Sequence, residues 1–165
     1  MTGKVSISFL RNPRNLISIG LLAILLMSAA YQAFGTSGSV TSPIPSSFAV
    51  SGKTYAFTYT ATDDAQRAAG LMNKQVTNTT TMLFVFPGVG IYGFWMSNTN
   101  TSLDMIWINA TGSTGQVVYV RADAMPCASS CSTYYPSSPA NYVIEAKSGF
   151  AEANGVEVGT QIQFS

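Results

Sequence analysis

The sequence predicts a mainly β (α+β) fold: a small curled antiparallel sheet or barrel-like domain with two short helices, preceded by one N-terminal transmembrane helix. Three observations lead there. One uncharged apolar run, 16–34, exceeds every other apolar segment in length. Beyond it, apolar runs of strand length alternate with Gly, Pro, Asn and Ser. Only two stretches in the remainder carry helix-start and helix-stop residues. At 165 residues the chain has room for one core and an appendage.

Residues 1–15 contain three cations, Lys4, Arg11 and Arg14, and no acid. The stretch from Leu16 through Phe34, "LISIGLLAILLMSAAYQAF", would span about 28 Å as a helix at about 1.5 Å per residue, close to the thickness of a bilayer core. With every nearby cation before it and the next, Lys53, far downstream, the positive-inside rule puts the N-terminus in the cytoplasm and the domain outside. A single-pass protein of the cell membrane is expected; the alternative is secretion after signal cleavage, for which Ala33-Phe34-Gly35 offers small residues at the two positions a peptidase reads. Residues 35–47, "GTSGSVTSPIPSS", form a flexible linker without a periodic apolar face. Residues 48–165 are the extracytoplasmic β-rich domain.

Within that domain, "FAVSGKTYAFTYTA" reads as a β-hairpin turning at Ser51-Gly52, with Tyr55, Phe57 and Tyr59 alternating on one face of the second strand. A short helix follows in "TDDAQRAAGLM", with Thr62 as N-cap, Asp63 and Asp64 in the first turn and Gly70 near the end. Strands are expected in "TMLFVF", "YGFWM", "MIWINA", "QVVYVRA" and "NYVIEAK". One or two helical turns stopped at Gly155 precede a final strand in which Ile162 and Phe164 share a face.

Composition removes several chemistries. There is no histidine, hence no Ser-His or Cys-His nucleophile pair, no imidazole proton shuttle and no His-ligated metal. Charged residues are 9% of the chain, against roughly 25% in an ordinary soluble protein. Past the apolar run five bases face seven acids, which leaves no basic patch for nucleic acid. The literal G-x-G-x-x-G at Gly88, Gly90 and Gly93 follows Pro87 and runs into strand-forming residues, so it is read as an inter-strand loop; no cofactor is expected. Cys127 and Cys131 have a spacing unlike redox C-x-x-C and too few companions for a metal, and a loop-closing disulfide is favoured over free thiols. Sequons at Asn78, Asn100 and Asn109 fit an external domain, though Asn- and Thr-rich sequence produces such triplets readily.

"FWMSNTNTSLDMIWI", Phe94 to Ile108, resembles the pattern F-W-M-K-N-T-x-x-P-L-D-I-I-F-I of the uncharacterised family of domain of unknown function 192. Three further blocks agree in order: "ATDDAQRAAGLMNK" resembles a helix ending in R-x-x-G-L-M-x-R, "MLFVF" the next strand, and the Cys127–Cys131 loop with "NYVIEAKSGFAEANGVEVG" the closing segments. Residues 50–164 are covered. The resemblance implies a small barrel-like β domain, often exported or membrane-anchored, of unknown function. Gln66, Ser97, Ser102 and Thr160 stand where the family pattern has Glu, Lys, Pro and Asp, while Arg67, Gly70, Leu71, Met72, Asp104 and Glu145 are kept.

These readings lead to a membrane-anchored extracytoplasmic binding or structural module. Its candidate ligand-binding residues are Trp95, Met96, Asn98, Thr99 and Asp104, facing a small molecule, glycan or envelope partner. An Arg67–Asp104 ion pair is a candidate structural link, beside a turn-forming role for Asp104. The alternative is a carboxylate-dependent hydrolase of an envelope polymer, which needs Asp104 and Glu145 in one cleft.

Overall fold

A computed structural model describes residues 43–165. The expected membrane segment, 16–34, and most of the linker lie outside them; among the described residues no helix is long and apolar enough to cross a membrane. The domain is mainly β, a curled half-barrel sheet with two short helices. In chain order its elements are β1 (Ser47–Val50), β2 (Lys53–Ala56), β3 (Tyr59–Ala61), α1 (Asp64–Ala69), β4 (Thr81–Gly90), β5 (Leu103–Thr111), β6 (Thr114–Ala124), β7 (Ala140–Lys147), α2 (Phe150–Ala153) and β8 (Gln161–Phe164).

One eight-stranded sheet runs in the order β2-β1-β8-β6-β5-β7-β4-β3. Its two edge strands, β2 and β3, are separated in the chain only by Phe57 and Thr58, so the sheet must curl until its edges approach each other. Thr81 Oγ1 on β4 donates to Ala56 O on β2 at 2.8 Å across that seam. The expected hairpin strand is thereby corrected. Tyr55 and Phe57 pack on the core, but the chain changes edges at Thr58, and Tyr59 pairs with Met82 of β4 in the one parallel ladder of an otherwise antiparallel sheet.

Because side chains alternate across a strand, both faces of the central strands are buried for different reasons. Leu83, Ile106, Ile108, Ile144 and Ala146 face the concave interior with Phe48, Val117, Ile162 and Phe164, and α2 closes it with Phe150 and Ala151. Met82, Phe84, Met105, Trp107 and Val143 face outward, where Leu71, Phe94 and Met96 cover them. This outer layer is the correction to the expected strand "YGFWM". The segment crosses β4, β7 and β5 as an irregular strap, held by single bridges Phe94–Tyr134 and Ser97–Cys127.

Candidate functional site

α1 forms because Asp63 caps it, its carboxylate accepting Gln66 N–H at 2.8 Å. Thr62, the expected cap, instead donates N–H to Gln66 Oε1 at 2.8 Å, the reciprocal half of a capping box shifted by one residue. Gly70 then adopts φ 47°, a conformation costly for a residue with a β-carbon, and turns Leu71 down onto the outer face of the sheet. Arg67 fastens the helix to β4. Its Nη1 donates to Thr62 O at 2.8 Å and Val85 O at 2.7 Å, its Nη2 to Asp64 at 2.6 Å, and its guanidinium lies 5.2 Å over the Phe86 ring.

On β4, Phe84 and Phe86 sit two residues apart and so share the outer face. The strap adds Tyr92 stacked on Phe86 at 3.7 Å and Phe94 edge-on to Phe84 at 4.8 Å. Trp107 Nε1 donates to Tyr92 O at 2.9 Å, and Phe94 and Tyr134 exchange backbone hydrogen bonds of 2.9 and 2.7 Å, so the strap is pinned at both ends of its aromatic run. Gly93 permits close approach: a β-carbon there would stand 2.5 Å from Tyr135 Cε1 and 2.6 Å from Thr133 Cγ2.

Between α1, β4, the strap and 133–135 a cavity of about 520 Å3 remains, walled by Phe84, Phe86, Tyr92, Phe94, Trp95 and Tyr135. Glu145 of β7 forms its inner end. That side chain is 4% exposed, and among the described residues its carboxyl makes no hydrogen bond. A β-carbon on Gly70 would stand in van der Waals contact with Phe84 Cζ, at 3.4 Å, and with Glu145 Oε2, at 3.8 Å. Burial pushes the Glu145 carboxyl up to about 8, because a carboxylate there has lost water and gained no partner. The group is therefore mostly protonated at neutral pH, able both to donate and to accept one hydrogen bond.

The residues expected to form a binding surface separate. Trp95, 51% exposed, stands at the cavity rim, and Thr99 lines the wall. Met96 points the other way into the outer core at 1% exposure. Asn98 takes φ 50° and makes a turn, donating N–H to Cys127 O at 2.9 Å. Asp104 lies outside the cavity altogether. It is buried on the concave face, where Oδ1 accepts from Asp123 N at 2.9 Å and Oδ2 from Ala151 N, at the start of α2, at 2.8 Å.

Two expectations fall with that placement. The Arg67–Asp104 ion pair is not formed, since Arg67 is held by Asp64 and two carbonyls while Asp104 serves two backbone amides. The hydrolase pair fails on register. Asp104 is opposite Ala146 and Glu145 opposite Met105 in the β5–β7 ladder, so the two carboxyl groups project from opposite faces of the sheet. Cys127 and Cys131 are joined in a disulfide with Cα atoms 5.6 Å apart, closing the loop next to Thr133 and Tyr135. Asn78, Asn100 and Asn109 are all exposed. The G-x-G-x-x-G glycines lie at the end of β4 and in the strap, with no helix after them.

The aromatic wall was not singled out from sequence. Phe84 and Phe86 read there as ordinary strand residues, and Tyr92 and Tyr135 join them only through the strap and the loop after the disulfide. Glu145 enters the sequence reading only as a residue of the family pattern and as the partner of Asp104 in the hydrolase alternative.

Two solved structures share this architecture. A protein provisionally described as a transcription regulator from Sinorhizobium meliloti 1021 superposes with a TM-score of 0.61 at 30% identity, over 72% of this chain and 90% of its own. A protein of unknown function from Novosphingobium aromaticivorans DSM 12444 does so with a TM-score of 0.61 at 25% identity, over 73% and 84%. No curated protein matches the chain. Residues 48–164 match the family model described as "Uncharacterized ACR, COG1430", and the chain belongs to that family, DUF192.

Proposed function

We propose that this protein is a membrane-anchored, extracytoplasmic binding module that holds a small molecule in the aromatic cavity beside Glu145. One observation carries the reading: a cavity of about 520 Å3, ringed by aromatic side chains, ends on a buried carboxyl with no protein partner. A ligand with a matching polar end would give that carboxyl the hydrogen-bond partner the protein does not supply. Ligand sites commonly combine a mostly apolar wall with a few polar groups in this way. The anchor rests on the uncharged run 16–34 and the three cations before it.

Two measurements test the reading. Protease added to intact cells should digest the domain and spare residues 1–15; the reverse pattern defeats the topology. A thermal-shift screen of the full-length protein against small aromatic compounds should give hits that Trp95→Ala weakens and Asp104→Asn leaves intact in the folded protein. Hits insensitive to Trp95→Ala and to Gly70→Val, which fills the cavity beside Glu145, would place binding elsewhere.

A further inference from the structure

The ligand class follows from what the cavity does and does not contain. Its ionisable lining is Asp64, Arg67, Glu145 and the phenols Tyr92 and Tyr135. Asp64 and Arg67 are bonded to each other, and both Arg67 Nη atoms already have acceptors. From the neighbouring strands β4 and β5 the residues opposite Glu145 are Met82 and Met105, which carry no charge. Glu145 is thus the one ionisable group in the cavity, phenols aside, that lacks a partner of opposite sign. No lysine lines the wall, so an anion would find neither a counter-ion nor a free guanidinium. A cation would find a carboxyl to pair with and ring faces whose negative quadrupoles attract positive charge, more strongly where water is excluded.

We infer that the cavity takes an organic ammonium with a flat apolar body, its charged nitrogen against Glu145 and its body between the rings of Phe84, Phe94 and Trp95. The inference rests on the binding reading above and specifies its ligand. Proton balance follows directly. In the free protein Glu145 holds its proton at neutral pH; as the ammonium binds, the O–H bond ionises, the proton leaves to solvent and the carboxylate pairs with the cation. Each mole of ligand bound at pH 7 therefore releases close to one mole of protons. Affinity rises about tenfold from pH 6 to pH 7 and levels off above the Glu145 value of about 8.

The test uses full-length protein and three probes with one ring system and different ends: tryptamine, tryptophol and indole-3-acetate. Calorimetry at pH 7 in two buffers of different ionisation enthalpy reads both affinity and proton release. The expected result is tryptamine at least tenfold tighter than tryptophol, indole-3-acetate weaker still, and a proton released only with tryptamine. Glu145→Gln should erase the preference and the proton release. If that variant does not fold, the pH dependence in the unaltered protein decides, since tryptamine affinity must climb between pH 6 and 7 while tryptophol affinity does not. Tryptophol or indole-3-acetate binding as tightly as tryptamine overturns the cationic class and leaves the binding reading standing. Binding by none of the three up to millimolar concentration overturns both.

Discussion

Asp104 and Glu145 are two buried acids one ladder position apart, and their surroundings give them opposite tasks. Asp104 ties β5 to the amides of Asp123 and Ala151, fixing the β6 turn-off and the start of α2. Asp104→Ala would strand two amide donors in a site that is 1% exposed, and at about 1–3 kcal/mol for each the expected loss is about 3 kcal/mol, measured by urea denaturation. Glu145 has no such partners and is raised from 4.5 to about 8. Between those two values the folded state holds a proton that the unfolded chain gives up, so stability falls as pH rises through the window. The fall is at most about 1.4 kcal/mol per pH unit. Glu145→Gln should match the unaltered protein near pH 4 and melt higher than it at pH 8.5; equal melting at both pH values would show the carboxyl to be solvated. Asp104 drew notice in the sequence because it stands between an Asn/Thr loop and an apolar strand. That context marks a capping acid as readily as a ligand, and only the register separates the two.

Among the elements, those with strong periodicity were legible and those shaped by contact were not. β5, β7 and β8 follow from apolar runs or alternation with Gly, Pro and Asn at their ends. The 92–96 segment has strand-like residues but forms no ladder, only the single bridge Phe94–Tyr134, because β4 overshoots to Gly90 and a bulge between Val85 and Gly90 lifts the chain off the sheet. Tyr92 and Phe94 then pack downward as a cover. The hairpin reading failed at Phe57 and Thr58 for a related reason: the alternation continues through them, while the partner strand changes. Gly115 marks where β5, β6 and β8 press together. A β-carbon there would stand 2.5 Å from Ile108 Cγ2 and 3.1 Å from Phe164 Cε2, both in the packed interior. Gly115→Ala should cost about 1–3 kcal/mol in chemical denaturation, the usual penalty of overpacking, although the same change favours strand formation in an open site.

For the whole molecule, the barrel-like class was readable from several short strands with turn residues between them, whereas the strand order was not. Nothing in the run "QIQF" says that it lies between β1 and β6, yet its insertion joins the first hairpin to the rest of the sheet. Phe48 pairs with Phe164, and Ser165 accepts from Ser46 and Ser47 while donating to Ser47. Removing residues 161–165 should therefore unfold the domain rather than trim it. Loss of the cooperative melting transition is the expected result, and a retained transition within a few degrees would show the remaining strands to be self-sufficient. The same placement governs how the chain acquires its shape. β1 leaves the ribosome before the other strands of the sheet and its partner β8 after them, so the hairpin it forms with β2 must wait, with one edge open, until β8 has emerged. Such distant pairing makes for slow folding and leaves a sticky edge exposed meanwhile. A nascent chain stalled before Gln161 is thus the species on which chaperones would be expected to act.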